Sequence, residues 1–281
     1  MRVAISRPIQ TAHARCRGLL RWTRAPDTMS APVFLDRVFV RPDAKFQEGE
    51  FPGSLPFVRD LDLRFTHAVT FFVGENGSGK STLAEAIADL GGLPVGGGGR
   101  NELADLRTPH SRSELAPFLR AAFRKRPRDG YFFRAEFQAH FASLLEQRKA
   151  DPDFLGDPYA RYGGQSLHTR SHGEAFLAIF SSWMTPGLIV MDEPEAALSP
   201  QRQLSLLTQM ARLVRRGGAQ FVIATHSPIL MTFPGATLLH FEAGRIESTR
   251  LEDTSHYHIT KGILDHPERY WQHLSREDEP G

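Results

Sequence analysis

Gly74 and Gly79 stand five residues apart in the stretch "FFVGENGSGKST", with Lys80 and Ser81 directly behind the second glycine. Glycines at this spacing let the backbone curl until successive N–H groups converge, and converging N–H groups bind anions. A helix that starts at Lys80 adds the positive end of its dipole. Lys80 then brings a full charge to the β- and γ-phosphates of a nucleotide, and the Ser81 hydroxyl is an oxygen ligand for Mg²⁺. The residues expected to line this phosphate site are Gly74, Asn76, Gly77, Ser78, Gly79, Lys80, Ser81 and Thr82. The competing reading is a mere glycine turn between strand and helix. Against it stand an apolar run before the loop, an amphipathic run after it, and a chance-match rate on the order of one per cent for a chain of this length.

A second constellation lies about 110 residues further on, where "LIVMDE" ends in Asp192 and Glu193. An aspartate at the carboxyl end of a buried strand next to a phosphate loop is placed to hold Mg²⁺. Glu193 points to another side and suits a general base that polarises the attacking water. The alternative for Glu193 is a helix cap ahead of "PEAALSP". A third strand-like run, "AQFVIATH", ends at His226, which the same logic brings to the rim where open α/β sheets bind ligands.

These residues need a scaffold, and the apolar patterning supplies one. "VFLDRVFV", "SLPFVRDLDLRF" and "AVTFFV" predict strands of a partly antiparallel sheet. Lys80 to Leu90 predicts a helix with Leu83, Ile87 and Leu90 on one face, and "GGLPVGGGG" a loop after it. Residues 101–185 read as mainly helical, with "SELAPFLRAAFRK" and "FQAHFASLLEQRK" the clearest pieces and "DGYFFRAE" a short strand or edge. "GLIVMD" and "AQFVIATH" read as buried strands around a helix from Ser199 to Arg216, whose expected apolar set is Leu204, Leu207, Met210, Leu213 and Val214. "ATLLHFEAGRIEST" reads as a closing hairpin. Strand, glycine loop and helix followed by strand, helix and strand is the order of an α/β fold with a central, mostly parallel sheet.

Composition narrows the function classes. The 281 residues are 41% hydrophobic and 23% charged, ordinary for a globular protein, and no apolar stretch approaches the ~20 residues of a transmembrane helix. The net charge of +2 hides an asymmetry: residues 1–28 carry six arginines and one acid, and without them Lys+Arg falls from 34 to 28 and Asp+Glu from 32 to 31, a net of −3. The basic character therefore belongs to this segment, which reads as a disordered extension or as sequence upstream of a start at Met29, and it gives no support to nucleic-acid binding by the body. The single cysteine, Cys16, lies in the same segment, so the body has no disulfide framework, in keeping with a reducing cytoplasm.

Taken together, "GENGSGKST", "LIVMDEPEAALSP" and "ATHSP" resemble the ATP-binding-cassette ATPase heads, and within them small stand-alone bacterial ATPases of the AAA/ABC type, from Phe34 to about Leu274. The resemblance implies a phosphate-loop fold of the ATPase-head type in one domain over residues 29–281: an antiparallel β portion at its start, a mostly parallel central sheet and a helical insertion at about 101–185. It implies hydrolysis of ATP with Mg²⁺, with Lys80, Glu193 and His226 catalytic and Ser81 and Asp192 holding the metal. It also directs attention to "TRSHGEAFLAIF", about 20 residues before Asp192, where Ser171, Gly173 and Glu174 match the family's signature segment and Arg170 and His172 depart from it. In the family that segment contacts the γ-phosphate bound by a second subunit, so Ser171 and Gly173 imply an ATP-dependent homodimer. The bottom-up reading of the same residues is a capping box, Ser171 with Glu174 three residues on. The wording "DEPEAALSP" is closer to the SMC and RecF heads of DNA repair than to transporters, which makes a nucleic-acid-linked switch the first expectation and a transporter's ATP-binding subunit the alternative. A non-enzymatic nucleotide module is disfavoured by the intact Lys80, Asp192, Glu193 and His226. A metal site from His168 and His172 is a remote alternative. Only 89 residues separate Thr82 from Ser171, too few for a long coiled coil. The glutamine loop has only Gln138 and Glu136 as candidates, and the adenine-stacking aromatic only Phe39.

Overall fold

Two sheets of different character carry the chain. The computed structural model describes residues 34–99, 112–134, 137–182 and 186–274. A small antiparallel sheet is built from β1 (Leu35–Val40), β2 (Asp62–Arg64) and β5 (Leu119–Phe123), in the order β2-β1-β5. The large sheet has seven strands in the order β10-β9-β3-β8-β7-β6-β4. Its inner five, β9 (Thr237–Glu242), β3 (Val69–Gly74), β8 (Ala219–Ala224), β7 (Gly187–Asp192) and β6 (Asp129–Arg134), run parallel, and β10 (Arg245–Thr249) and β4 (Gly98–Gly99) close the edges antiparallel.

Strands buried on both faces are apolar almost throughout, because each successive side chain must enter one of two cores. In β3, β6, β7 and β8 the residues Phe71, Val73, Tyr131, Phe133, Ile189, Met191, Phe221 and Ile223 enter one core, with α2 (Phe137–Ala150), α3 (His172–Ser182) and α4 (Pro200–Arg215). Their alternates Phe72, Phe132, Leu188, Val190, Val222 and Ala224 enter the other, with α1 (Lys80–Leu90) and the small sheet. At roughly 1.5–3 kcal/mol for each fully buried large apolar side chain, these two layers hold the strand ends in fixed register.

Several predicted elements stand where expected: α1, β7, β8, α2, α4 and the β9–β10 hairpin, whose two turn residues Ala243 and Gly244 both have positive φ, as a tight right-twisted hairpin requires. Others are corrected. "SELAPFLRAAFRK" is not a helix. It is a single 3₁₀ turn at Ala116–Phe118 followed by β5, because Pro117 breaks the pattern and Leu119–Phe123 pairs with β1 in an alternating buried and exposed rhythm. Of "SLPFVRDLDLRF" only Asp62–Arg64 is strand. The glycine run ends as β4, paired to β6, so that β6 is an inner strand rather than an edge. On α4 the buried face is Gln203, Leu206, Met210, Ala211, Leu213 and Val214, while Leu204 is 56% exposed. Residues 1–28 and Cys16 lie outside the described residues. Among the described residues no helix is long and apolar enough to cross a membrane.

Candidate active site

Strand register assembles the site. Arg134, Asp192, Ala224 and Phe72 are level with one another across β6, β7, β8 and β3, and Gly74 lies two residues beyond Phe72. The carboxyl ends of these strands thus form one rim. From Gly74 (φ 140°) the chain curls through Gly77 (φ 77°) and Gly79 (φ 93°) into α1. A side chain at Gly74 would meet the Phe241 carbonyl at 2.5 Å, and one at Gly79 the Phe57 ring at 2.6 Å, so both positions need glycine for space as well as for backbone angle.

Lys80 is buried in the curl, and its Nζ donates to the carbonyls of Gly74 and Glu75, both at 2.8 Å. Burial lowers its pKa, opposed by the nearby carboxylates of Glu193 and Asp192. Ser81 Oγ donates to Asp192 Oδ1 at 2.8 Å, so the two predicted metal ligands meet across 111 residues of chain. A hydroxyl and a carboxylate are the hard oxygen donors that Mg²⁺ takes. Burial raises the Asp192 pKa, and the Ser81 hydrogen bond and Arg134 oppose the rise. Arg134 stands between two acids, with Nε 3.9 Å from Asp192 and Nη1 3.3 Å from Glu85.

Glu193 does not cap the next turn: its side chain makes no capping hydrogen bond and is 45% exposed. Its backbone is left-handed, φ 45° and ψ 54°, an uncommon state for a residue with a side chain, and its N–H is tied to the Ala224 carbonyl of β8 at 2.9 Å. His226 follows β8 and places Nε2 3.4 Å from Glu193 Oε1. Glu195 accepts from the backbone N–H of His226 and, at 2.8 Å, from the Thr225 hydroxyl. Burial raises its pKa, against those hydrogen bonds. Asp192, Glu193 and Glu195 thus divide the labour: one faces Ser81, one faces His226, and one fixes the backbone that carries His226.

The segment at 171–174 is a capping box. Ser171 N–H donates to Glu174 Oε2 at 3.1 Å, and Glu174 N–H to Ser171 Oγ at 3.4 Å. Arg202 of α4 donates to Ser171 Oγ at 2.9 Å and pairs with Glu174 at 3.1 Å. A side chain at Gly173 would meet Arg202 and, at 3.0 Å, the Ala197 carbonyl, so this glycine permits close packing of α3 on the turn behind Asp192. No contact within the chain joins Ser171 or Gly173 to the phosphate loop among the described hydrogen bonds and ion pairs.

Phe39 has its ring covered by the Arg37 guanidinium at 4.6 Å. Gln138 lies in the first turn of α2, and Glu136 lies outside the described residues. Among the described residues no group of three His, Cys, Asp or Glu is disposed to hold a metal ion. Arg134, Glu195 and Thr225 were missed from sequence. A signal existed for Arg134, which ends "GYFFR" as Asp192 ends "GLIVMD".

A glycine loop closed on a helix, beside a strand end that bears an acid pair, defines a phosphate-loop ATPase. Comparison with known proteins narrows the class. A family described as "AAA domain, putative AbiEii toxin, Type IV TA system" matches residues 106–232, and a second, "AAA domain", matches residues 53–98. The hemin import ATP-binding protein HmuV of Rhodopseudomonas palustris (strain BisB5) is 31% identical over 192 residues, covering 62% of this chain and 71% of the relative. A longer relative from Rhizobium meliloti (strain 1021), whose name assigns it to ribose, galactose and methyl galactoside import, is 29% identical over 196 residues, and the chain spans 36% of its length, 63% of this chain. Among solved structures, cbiO1 of Clostridium perfringens, part of the ABC transporter complex cbiONQ, aligns with a TM-score of 0.47 at 17% identity over 87% of this chain and 99% of that one. The chain belongs to the ATP-binding-cassette ATPases and is an ATP-hydrolysing enzyme of that family.

Proposed function

We propose that this chain is the ATP-hydrolysing subunit of a membrane import system, working from the cytoplasmic side as an ATP-dependent homodimer. In this reading Lys80 and the N–H groups of Gly74 to Thr82 hold the phosphates, Ser81 and Asp192 hold Mg²⁺, Glu193 polarises the attacking water, and His226 faces the γ-phosphate. The observation that carries the ATP-hydrolysing part of this reading is the convergence of Lys80, Ser81, Asp192, Glu193 and His226 on one rim. The names of the relatives, which are import ATP-binding proteins, move transport ahead of the DNA-repair reading.

Dimerisation is supported by the position of Ser171 and Glu174, exposed at the start of α3. A hydroxyl at a helix N-terminus with an arginine beside it is a good anion site. A second copy supplying it would bridge the γ-phosphate between two protein surfaces. Glu193→Gln should therefore dimerise with ATP and Mg²⁺ in light scattering and stay monomeric with ADP. Ser171→Arg should prevent the dimer. A monomer of Glu193→Gln at saturating ATP would defeat the homodimer.

A second reading, a stand-alone switch, is favoured by the toxin–antitoxin wording of the family that matches residues 106–232. Tagged Glu193→Gln, cross-linked in cells, separates the two. A polytopic membrane protein in the cross-link supports import. A soluble protein or nucleic acid supports the switch.

A further inference from the structure

We infer that His256 is a positioning residue for the ATPase reaction, fixing by its hydrogen bond which nitrogen of His226 carries the proton. The inference deepens the reading of His226 given above and rests on it.

His226 Nδ1 and His256 Nε2 are 3.0 Å apart, with ring centroids at 5.1 Å. The contact joins the end of β8 to α6 (Ser255–Asp265), which comes after the short helix α5 (Pro228–Met231) and the β9–β10 hairpin. His256 is held firmly there. Thr254, fully buried, caps α6 by accepting from the Tyr257 N–H and donates its own hydroxyl to the Leu251 carbonyl at 2.8 Å. The first turn of α6 also borders the phosphate loop: Ser255 and His258 line a cleft of about 930 Å³ together with Glu75.

Two imidazoles in such contact share one proton, so one ring donates and the other accepts. The acceptors on the far side of His226 decide the direction. Its Nε2 is buried, has no hydrogen bond among the described residues, and has Glu193 Oε1 as a neighbour at 3.4 Å. If His226 Nδ1 carried the proton, Nε2 would turn a lone pair toward a carboxylate, two acceptors face to face. With the proton on Nε2, His226 presents a donor to Glu193 or to a phosphate oxygen, both of which accept. His256 Nε2–H must then donate to His226 Nδ1. His256 Nδ1 becomes a bare lone pair, in keeping with its burial without a partner among the described residues. Desolvation, and next the neighbouring His226, hold the His256 pKa below its ordinary value, which keeps this ring neutral with a single N–H to give. A partner that fixes the tautomer and ring orientation of a working histidine is commonly worth 10–100-fold in activity at metal sites, and the same geometric logic applies here.

The test compares three variants of the full chain for ATP hydrolysis and for the ring ¹⁵N spectrum of His226. His256→Leu should lower kcat by about 10–100-fold with little change in KM for ATP, and should turn the single Nε2–H tautomer of His226 into a mixture. His256→Gln, whose amide N–H can replace Nε2–H, should recover most of the rate and the single tautomer. His226→Ala should lose hydrolysis. Wild-type kcat in His256→Leu, with His226→Ala inactive, overturns the positioning role alone. A folded His256→Gln as slow as His256→Leu, judged by melting temperature, overturns it too. Wild-type hydrolysis in His226→Ala overturns the reading of His226 itself, and the inference with it.

Discussion

The rim at Lys80 and Asp192 and the segment at Ser171 are built in opposite ways. The rim is largely buried and internally tied: Lys80 donates into its own loop, Ser81 to Asp192, and Arg134 lies between two acids. Strand register sets it, and the two apolar layers hold that register. The Ser171 segment is exposed, and its hydrogen bonds cap a helix and pair with Arg202. One region has its polar groups committed inward. The other keeps a helix N-terminus and a hydroxyl at the surface, where a second molecule can reach them. On the proposed function, the contrast separates residues that would bind nucleotide in a lone chain from residues that would act only in an assembly.

The largest expected effect falls on the buried region. Lys80→Ala should remove ATP binding from a titration that detects it in the wild type, whereas Ser171→Arg should bind ATP as the wild type does while monomeric. Weaker monomer binding in Ser171→Arg would erase the distinction. Glu193→Gln comes next: steady-state hydrolysis should fall roughly 10²–10⁴-fold with ATP affinity retained, the size of a lost general base. Unchanged turnover would remove Glu193 from that role.

A stability comparison sharpens the contrast within one helix. On α4, Leu206→Ala should cost about 2–5 kcal/mol in denaturant unfolding because Leu206 is fully buried, and Leu204→Ala at most about 0.5 kcal/mol. Equal costs would mean that the exposed face of α4 is covered in solution.

The smallest effect concerns pH. The folded-state pKa of Glu195 is raised above its ordinary 4.5, so the folded protein holds this proton more tightly than the unfolded chain. Stability from this group is therefore lost as pH rises from about 4.5 through the raised value. Glu195→Gln keeps an oxygen acceptor for Thr225 and His226 without that loss. Its melting temperature should equal or exceed the wild type at pH 7.5, with the gap closing as pH falls toward 4.5. A gap that widens on acidification would reverse the sign of the argument.

Much of the buried region was legible in the sequence because its causes are local. Glycine spacing sets the phosphate loop, and "GLIVMD" must be a buried strand whose last residue emerges at the rim. What was not legible depends on distant partners. β5 is a strand because β1 needs a neighbour, and nothing in "FLRAAF" announces β1. Leu204 fits the helical period yet faces outward, since the core requires Gln203, whose amide donates to the Leu198 carbonyl at 3.0 Å. His256 lies 30 residues beyond His226, and only the return of the chain through the hairpin brings the rings together.

The left-handed backbone at Glu193 carries a consequence for laboratory evolution. A non-glycine residue in that conformation costs roughly 1–3 kcal/mol, and glycine adopts it freely. Glu193→Gly should therefore raise the melting temperature of this chain while ending hydrolysis. A library screened for heat resistance or expression alone would enrich that variant, and its most durable survivors would be its least active. Stabilising campaigns on this scaffold should hold position 193 fixed and seek their gains on the exposed faces of its helices.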